Sequence, residues 1–337
     1  MALIIPVSQV ECQKKSWKTS LKEAISDPGQ LLSLLDLSPE QLDYELDLVN
    51  DFNLRVPLPF IKKMKQGDPN DPLLLQVISQ AKENNIIAGY DDDPLLEQGS
   101  QQPGLLHKYH GRVLLVLASA CAINCRYCFR RHFPYQGELA SGKQLQASID
   151  YIASTPSITE VILSGGDPLI VSDNYLKQLI EKLEQIPHLK RLRIHTRLPI
   201  VIPSRITPSL SQILSNNRLK TSMVLHINHP NEIDHVLATN LKPLVQTGIQ
   251  LLNQSVLLKG INDDISILSK LSEKLFECNI LPYYLHQLDK VKGAAHFSVD
   301  DSRAKKLFQA MRDSLPGYLV PRLAREEAGK HAKTLIF

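Results

Sequence analysis

The segment "ITEVILSGGDPLIVSDNYLKQLIEKLEQI", residues 158–186, contains a strand-like run, a turn and a helix-like run. Its first residues, "ITEVILSGG", form a short branched apolar run that ends in two glycines, which is typical of a buried β-strand. The later residues "DNYLKQLIEKLEQI" repeat apolar side chains at helical spacing. This order predicts a βα unit, in which the helix returns the chain to begin a parallel neighbouring strand.

The same rhythm recurs along the chain and predicts six βα units. The six strand-like runs are "RVLLVLAS", "ITEVILSGG", "LKRLRIHT", "TSMVLHIN", "IQLLNQSVLL" and "ILPYYLHQL". Near-continuous apolar strands favour a parallel sheet that is buried on both faces, and right-handed crossovers curl such a sheet. We therefore predict an α/β fold built on a partial (β/α)6 barrel similar to a TIM barrel.

The first hundred residues differ in pattern and predict an N-terminal helical layer. Helical spacing is present in "SWKTSLKEAISD", in "SPEQLDYELDLV" with Ser38 as its expected N-cap, and in "DPLLLQVISQAKENN". A polar, turn-rich segment then precedes the first barrel strand. The expected organisation is a helical region over residues 1–104, a barrel over residues 105–316 and a C-terminal tail over residues 317–337.

Composition and charge narrow the class of protein. The 337 residues are 43% hydrophobic and 22% charged, with a formal net charge of +3, which is typical of a globular protein. No long basic run indicates nucleic acid or an anionic membrane as a partner, and no segment reaches membrane-spanning length. The first residues lack the features of a secretory signal, so we expect a cytoplasmic protein. In that reducing compartment, clustered cysteines are metal or redox ligands more often than disulfides.

Three of the five cysteines fall within eight residues, in "CAINCRYC", at the end of the first predicted barrel strand. The carboxyl ends of barrel strands form the reactive face, so this loop should bring Cys121, Cys125 and Cys128 together at the mouth. Three thiolates can hold a 4Fe-4S cluster by three irons and leave the fourth iron open to a ligand. Structural zinc is the alternative, but it prefers four protein ligands. Cys12 and Cys278 have no expected role.

The spacing C-x3-C-x2-C resembles the signature of the radical S-adenosylmethionine superfamily, with Tyr127 as the aromatic residue before the last cysteine. The resemblance implies that the open iron binds S-adenosylmethionine and that cleavage of this cofactor yields a 5'-deoxyadenosyl radical. By itself, "GGDP" would predict only a turn. After the cysteine loop, it fits the superfamily's glycine-rich contact. The S-adenosylmethionine-binding residues implied by the resemblance are Gly165, Gly166, Asp167, Arg197 and His226.

The chain also resembles the lysine 2,3-aminomutase family over roughly residues 105–334. The matching segments are "HKYHGRVLLVL", "TRLPIVIPSRIT", "HINHPNEI", "LLNQSVLLKGIND" and "PYYLHQLDKVKGAAHF". Within this family it is most similar to the short bacterial branch that makes (R)-β-lysine for the modification of translation elongation factor P. The resemblance implies an isomerase that converts (S)-α-lysine to (R)-β-lysine by a radical 1,2-amino shift.

The family uses pyridoxal phosphate bound to a lysine as an imine. Lys330 and Lys333 both lie in the tail, and the family lysine is followed by threonine, as in Lys333–Thr334. The resemblance therefore implies that Lys333 is the catalytic lysine. It also implies that pyridoxal phosphate contacts side chains from earlier in the chain, namely Lys108, Tyr109, Arg112, Asn253 and Gln254.

The resemblance also implies which side chains bind the substrate. Arg130 corresponds to the residue that holds the substrate carboxylate, a task that suits a planar guanidinium. Asp289 and Glu326 correspond to residues that hold the ε-ammonium of lysine, and Glu326 stands where the family has aspartate. The other histidines near the strand ends are expected to be ordinary polar residues, namely His195, His229 and His286.

The expected partners are free L-lysine as substrate and, functionally, the ligase that modifies elongation factor P, with neither nucleic acid nor a membrane. Asp264 stands where longer family members have a zinc-binding cysteine, so any homo-oligomer should form without structural zinc. Two alternatives stay open. One is an aminomutase of another amino acid, although Asp289 and Glu326 would repel an acidic substrate. The other is a non-catalytic iron–sulfur protein that binds elongation factor P or its ligase.

Overall fold

A nine-stranded sheet organises the part of the protein described by the computed structural model, which covers residues 16–47, 52–99 and 102–337. Cys12 lies outside these residues. Neighbouring strands follow chain order from one edge of the sheet to the other. The strands are β1 Leu105–Tyr109, β2 Arg112–Ala118, β3 Glu160–Gly165, β4 Arg191–Thr196, β5 Lys220–Leu225, β6 Gln250–Val256, β7 Ile280–His286, β8 Arg322–Arg325 and β9 Thr334–Leu335.

Strands β2 to β8 are parallel, and only the two outer pairs, β1–β2 and β8–β9, are antiparallel. The six predicted barrel strands correspond to β2–β7, so the predicted partial barrel is confirmed. The helices are α1 Trp17–Lys22, α2 Pro28–Leu34, α3 Leu58–Ile61, α4 Gly142–Ser154, α5 Asp173–Glu184, α6 Leu198–Val201, α7 Pro208–Ser215, α8 His235–Gln246, α9 Ile265–Glu277 and α10 Asp301–Ser314. No helix in the described residues is both long enough and apolar enough to cross a bilayer.

The unit of β3 and α5 shows why the chain alternates strand and helix. Every residue of β3 is buried, as expected for a strand covered on both faces. Helix α5 begins after Ser172, whose hydroxyl accepts a hydrogen bond from the backbone N–H of Tyr175. Its buried side chains recur at helical spacing and pack into the main core; they are Leu176, Leu179, Ile180 and Leu183.

The last hairpin, β8–β9, was not predicted from the sequence, yet it fixes the C-terminal tail on the barrel. Strand β8 extends the parallel sheet beyond β7, and β9 pairs antiparallel with it. The backbone N–H of Ile336 donates to the carbonyl of Leu323 over 3.0 Å. Both side chains are buried with residues of α10. The tail therefore forms an edge strand of the sheet, and this strand begins at Thr334, directly after Lys333.

The N-terminal layer contains helices, but they are shorter than the sequence suggests. The helix predicted after Ser38 is only one turn of 3-10 helix, Pro39–Gln41, closed by a bond from the Ser38 N–H to Gln41 Oε1. Beyond it, Leu46 forms an antiparallel bridge with Gln80. Backbone pairing with another segment thus replaces the helix at this point.

The helix predicted over "DPLLLQVISQAKENN" is also wrong. Residues 72–77 form consecutive turns, and only Ala81–Asn84 makes a short 3-10 helix. The apolar side chains at helical spacing are buried, as predicted. The carbonyl of Gln76, however, accepts its hydrogen bond from the N–H of Arg126 in the cysteine loop, 2.9 Å away. A tertiary contact here overrides the local helical propensity.

The N-terminal layer and the barrel share one hydrophobic core. Trp17, Leu31, Phe60 and Ile78 belong to the same buried cluster as side chains from strands β2 to β7. Removing the layer would expose much of this apolar surface, which carries a large cost in free energy. The layer is therefore an integral wall beside the cysteine loop.

The glycine pair after β3 holds the cysteine loop by close backbone contact. The N–H of Gly166 donates to the carbonyl of Ala118 over 2.7 Å, and the N–H of Asp167 donates to that of Ala120 over 2.9 Å. A Cβ on Gly166 would lie 2.4 Å from the oxygen of Ala120. Gly165 has a φ of +117°, which few other residues adopt. The packing requires glycine at both positions.

We predict that Gly166→Ala lowers the free energy of unfolding by about 1–3 kcal/mol, because the new methyl group must displace backbone. Urea denaturation of the whole chain measures this change. Gly317→Ala is the matched control, since nothing lies within 4 Å of the added Cβ there. Equal stability of the two variants would contradict the assigned close packing.

Candidate active site

The cysteine loop leaves β2 at the carboxyl edge of the barrel. Cys121, Cys125 and Cys128 are half-buried free thiols. The N-terminal layer fixes the loop between them, because the N–H of Asn124 donates to the carbonyl of Arg55 over 3.1 Å. The predicted grouping of the three cysteines on one loop is therefore present, and the loop is anchored at its middle.

The chemistry of the three thiols fits an iron–sulfur cluster. Burial, and then the charges of the neighbouring cysteines, raise the pKa of Cys121, and burial with Cys125 raises the pKa of Cys128 to about 11. Because neighbouring cysteines raise the pKa of Cys121 and of Cys128, thiolates at these positions would need a cationic partner, and the irons of a cluster held by Cys121, Cys125 and Cys128 would supply it. No set of three or more His, Cys, Asp or Glu among the described residues is arranged around a single metal ion.

Glu83 of the N-terminal layer clamps the cysteine loop through two arginines. Its carboxylate accepts from Arg126 Nε at 2.9 Å and Nη2 at 2.6 Å, and from Arg131 Nη2 at 2.9 Å. Arg126 and Glu83 are both buried, so this pair is screened little by solvent. Sequence reasoning missed Glu83, because it stands between Lys82 and Asn84 in a polar segment whose local pattern does not show that this one carboxylate is buried.

Arg197 links the end of β4 to the cysteine loop. Its Nη1 donates to Cys125 Sγ over 2.7 Å and also to the Tyr127 hydroxyl. Its Nη2 donates to Gln76 Oε1 at 2.8 Å and to Glu232 Oε2 at 2.9 Å. In this arrangement, the guanidinium positions a cluster cysteine, while the expected contact of Arg197 with S-adenosylmethionine stays a prediction.

Asp167 ties β3 to the loop after β4. Its buried carboxylate accepts from the Thr196 hydroxyl at 2.7 Å and from the backbone N–H groups of Leu169, Arg197 and Leu198 at 2.8–3.0 Å. Burial nevertheless raises the pKa of Asp167 above its ordinary value. These bonds occupy both oxygens, so the carboxylate holds the two strand ends in register beside the cysteine loop.

The barrel interior carries neutral polar side chains. His195 and His226 meet edge to face, with ring centroids 5.9 Å apart, and His286 lies two strands beyond His226. Burial lowers the pKa of all three, in the case of His226 to about 4. Within the described residues, Nε2 of His195, Nε2 of His286 and Oε1 of Gln254 are buried without a hydrogen-bond partner. A polar ligand in the barrel would satisfy these atoms, which is compatible with the prediction for Gln254, while the role of His226 stays a prediction.

Asn253 differs from Gln254, although the two were predicted together. Successive residues of a strand point to opposite faces, and Asn253 faces a small cavity lined by side chains of α9 and α10. Its amide is fully used, since Oδ1 accepts from the N–H of Ile227 at 3.0 Å and Nδ2 donates to the carbonyl of Ile227 and to Ser255. This geometry gives Asn253 a role in joining β5 to β6, and we do not retain it as a cofactor ligand.

The tail places Lys333 in the mouth beside two groups that attract an ammonium, a carboxylate and an aromatic ring. Lys333 forms an ion pair with Glu326, which also accepts a hydrogen bond from the Tyr109 hydroxyl. The ammonium lies 5.6 Å from the centre of the Tyr284 ring. Burial would raise the pKa of Glu326, but Lys333 brings it below its ordinary value. Lys330 is exposed, so the geometry favours Lys333 of the two tail lysines.

A second carboxylate, Glu97, joins two of the predicted anion-binding residues. Its Oε2 accepts from Arg130 Nε at 2.7 Å, and its Oε1 accepts from Lys108 Nζ at 3.0 Å. Nearby, the guanidinium of Arg112 stacks on the ring of Tyr109 at 4.2 Å. Glu97 thus brings Lys108 of β1 to Arg130 of the cysteine loop, and Tyr109 lies against Arg112 of β2, while their roles in binding cofactor and substrate stay predictions. Sequence reasoning missed Glu97, which lies in a turn-rich segment without periodicity.

Asp289, after β7, faces this group of charges. Burial raises the pKa of its carboxyl to about 7; the ammonium of Lys333 opposes this rise, and the carboxylates of Glu326 and Glu97 add to it. A carboxyl that titrates near neutrality gains a full negative charge when a cation arrives beside it. The position thus suits a site for an ammonium group.

The pKa of Asp289 predicts a pH dependence of stability. Between its ordinary value of 3.8 and about 7, the folded protein binds more protons here than the unfolded chain does. The contribution of this carboxyl to stability is therefore present at low pH and is lost as the pH rises toward 7. Asp289→Asn removes that loss, so the variant should gain stability relative to the parent between pH 5 and pH 8.

Urea denaturation at both pH values measures this difference. Asp313→Asn serves as the control, since Asp313 is exposed on α10. Parallel pH profiles for the parent and Asp289→Asn would contradict the raised pKa.

Comparisons with known proteins found similarities to one family model, to solved structures and to curated relatives. A family model described as "4Fe-4S single cluster domain" matches residues 109–196, which include the cysteine loop. Among solved structures, SuiB from Streptococcus suis bound to S-adenosylmethionine is similar, with a TM-score of 0.48 and 16% identity over 65% of this chain and 51% of that chain.

Curated relatives match over almost the whole chain. The L-lysine 2,3-aminomutase of Haemophilus influenzae is 51% identical, with 98% of each chain covered. The L-lysine 2,3-aminomutase of Escherichia coli K12 is 48% identical, with 95% of this chain and 94% of the relative covered. Identity of about half over nearly the full length of both relatives shows the family, and the cysteine loop and tail lysine at one barrel mouth are consistent with it. The chain belongs to the L-lysine 2,3-aminomutase family.

Proposed function

We propose that this protein converts L-lysine to (R)-β-lysine by a radical shift of the amino group from carbon 2 to carbon 3. The observation that carries this proposal is the tail lysine, Lys333, held by Glu326 in the same mouth that the cysteine loop borders. A structural iron–sulfur protein would have no use for a half-buried amine positioned in this way. Membership of the family supports the same reaction.

Three bound groups would supply the bond chemistry. S-adenosylmethionine would supply the radical, the 4Fe-4S cluster would supply the electron, and pyridoxal phosphate would stabilise the migrating nitrogen. Cys121, Cys125 and Cys128 would hold the cluster. Lys333 would hold pyridoxal phosphate. The protein's own task is to bind, orient and shield these groups.

Lys333 must lose a proton before its nitrogen can react with a carbonyl group. Glu326 is placed to accept hydrogen bonds from both Lys333 and Tyr109, so it can hold the lysine in position and can share the proton. When Lys333 is displaced, the same carboxylate becomes available to the ε-ammonium of the substrate. In this proposal the side chain of Glu326, which is longer than the aspartate of the family, makes both the contact with Lys333 and the contact with the ε-ammonium.

The two ends of L-lysine carry opposite charges that match two regions of the site. Arg130 would bind the carboxylate, because its guanidinium is buried and lies beside Ser164 at 3.2 Å. Asp289 and Glu326 would bind the ε-ammonium. A buried carboxylate at this end discriminates against neutral or shorter amino acids, since these would leave it unpaired.

The histidines of the barrel interior are uncharged, which allows cationic ligands to bind beside them. S-adenosylmethionine carries a sulfonium cation and lysine carries an ammonium, and protonated imidazoles would repel both. Because burial lowers their pKa, His195, His226 and His286 stay uncharged near neutral pH. They can then act as hydrogen-bond partners to ligands. Gly165 and Gly166 pack against the backbone of Ala118 and Ala120, and their contact with S-adenosylmethionine stays a prediction.

The biological role that we propose is the supply of (R)-β-lysine for the modification of elongation factor P in the cytoplasm. The support is the similarity in length and sequence to the relatives from H. influenzae and E. coli. We further propose that any homo-oligomer forms without structural zinc, because Asp264 caps α9 through a hydrogen bond from the Ser266 N–H at 2.8 Å, where a zinc-binding cysteine is expected in longer family members.

The proposed function predicts that Lys333→Ala lowers turnover by about a hundredfold or more, as loss of a positioned reacting group does. The protein is reconstituted anaerobically with iron and sulfide, then given pyridoxal phosphate, S-adenosylmethionine, a strong reductant and L-lysine. Chiral chromatography measures β-lysine. Lys330→Ala is the matched control and should keep full activity, and both variants should keep the iron content of the parent.

Two results would count against the proposal. If Lys330→Ala abolishes turnover while Lys333→Ala does not, the catalytic lysine is misassigned. If the parent chain cleaves S-adenosylmethionine and leaves lysine unchanged, the substrate is wrong, although the radical chemistry stands.

A further inference from the structure

Glu97 stands out among the buried ionisable groups because the reaction gives it no role. Only 8% of its side chain is exposed, and each carboxylate oxygen contacts a different cation. The charges of Arg130 and Lys108 outweigh the effect of burial and bring the pKa of Glu97 below its ordinary value. The group is therefore a carboxylate at neutral pH, shared between two cations that come from different parts of the chain.

The bonds of Glu97 leave a defined set of donors on each cation. Arg130 uses Nε for Glu97 and Nη1 for Ser164 and the carbonyl of Gly165, and its Nη2 makes no hydrogen bond within the described residues. The Lys108 ammonium uses two of its three N–H groups, for Glu97 and for the carbonyl of Leu95 at 3.0 Å. Each cation thus keeps donor capacity for one incoming anion.

The backbone around Glu97 is held firmly. The N–H of Glu97 donates to Asp93 Oδ1 over 2.9 Å, and Asp91 pairs with Val291 in the loop that follows Asp289. Leu96 adopts a φ of +50°, an uncommon conformation for a residue with a side chain. A strained residue persists only where its surroundings determine the conformation, and such residues concentrate at functional sites. The segment is thus built to deliver the Glu97 carboxylate to one place.

We propose that Glu97 is a positioning residue that sets the spacing and orientation of Arg130 and Lys108, and thereby the affinity of the site for the substrate carboxylate and for the phosphate of pyridoxal phosphate. This inference rests on the proposed function. Without a carboxylate between them, the buried Arg130 and the half-buried Lys108 would repel and turn apart. With it, one charge links the binding of both anions, so they are bound at a fixed distance from each other.

The test compares Glu97→Gln with the unaltered chain. Glutamine removes the negative charge and keeps one acceptor oxygen, so it can bond only one of the two cations and presents an N–H group to the other. Both the Kd for pyridoxal phosphate and the KM for lysine should therefore rise about tenfold or more. Absorbance titration of the protein with pyridoxal phosphate, without lysine or reductant, measures the first quantity independently of turnover. Iron content and the rate of S-adenosylmethionine cleavage should not change, whereas a purely structural defect would lower them.

Two further variants complete the test. Glu181→Gln is the matched control, because Glu181 is exposed on α5 and its ion pair among the described residues is with Lys177 at 3.8 Å. The Kd and KM of this variant should equal those of the parent. Glu97→Asp keeps the charge on a shorter arm that cannot reach both cations. It should therefore weaken the binding of pyridoxal phosphate and of lysine unequally, and it replaces Glu97→Gln if that variant does not fold.

A folded Glu97→Gln variant with parental Kd and KM would overturn the inference, and so would a Glu97→Asp variant with parental values. These outcomes leave the proposed function intact, since the parent still makes β-lysine. Failure of the proposed function has a different signature, because the parent chain itself then fails to convert lysine.

Discussion

The pairing of buried cations with carboxylates is the constraint on which the rest of the site depends. A charge removed from water needs a partner of opposite sign, and here most partners lie more than thirty residues away along the chain, while Lys333 and Glu326 pair within the tail. The pairs are Glu83 with Arg126 and Arg131, Glu97 with Arg130 and Lys108, Glu232 with Arg197, and Glu326 with Lys333. Because each pair joins two segments, charge pairing fixes the cysteine loop, the strand ends and the tail around one mouth.

The N-terminal layer contributes to the site because its residues hold the cysteine loop in place. Glu83 and Gln76 lie in the layer, and both bind the cysteine loop, one through side chains and one through its backbone carbonyl. Glu97 follows in the connecting segment and reaches Arg130. The layer therefore shapes the site as well as covering the core. The tail completes the opposite wall, where β9 pairs with β8 and brings Lys333 to Glu326.

Much of the barrel could be predicted from the sequence, because six buried strands carry continuous apolar runs and are followed by amphipathic helices. Strands β8 and β9 could not, since four and two residues are too few to show a periodicity. The segment from Asp71 to Asn85 was predicted as a helix from its apolar spacing, but the carbonyl of Gln76 accepts its hydrogen bond from Arg126 of the cysteine loop. Local patterns do not contain such long-range hydrogen bonds.

In the candidate site, too, features with a local sequence pattern could be predicted, and features that depend on long-range contacts could not. Motif spacing was enough to predict a common loop for the three cysteines. The choice of Lys333 over Lys330 agrees with the exposure of Lys330. Asn253 and Gln254 illustrate an error that strand geometry could have prevented, because adjacent residues of one strand face opposite sides. Glu97 and Glu83 could not be found from the sequence, since their importance comes only from partners that are distant along the chain.

The central claim is that the tail strand delivers one particular amine, that of Lys333, to the barrel mouth. The most direct measurement is to incubate the whole protein with pyridoxal phosphate, reduce it with borohydride, digest it and locate the pyridoxyl group by mass spectrometry. The account predicts a pyridoxyl group on Lys333. A pyridoxyl group on Lys330, or spread over exposed lysines with Lys333 unmodified, would contradict it.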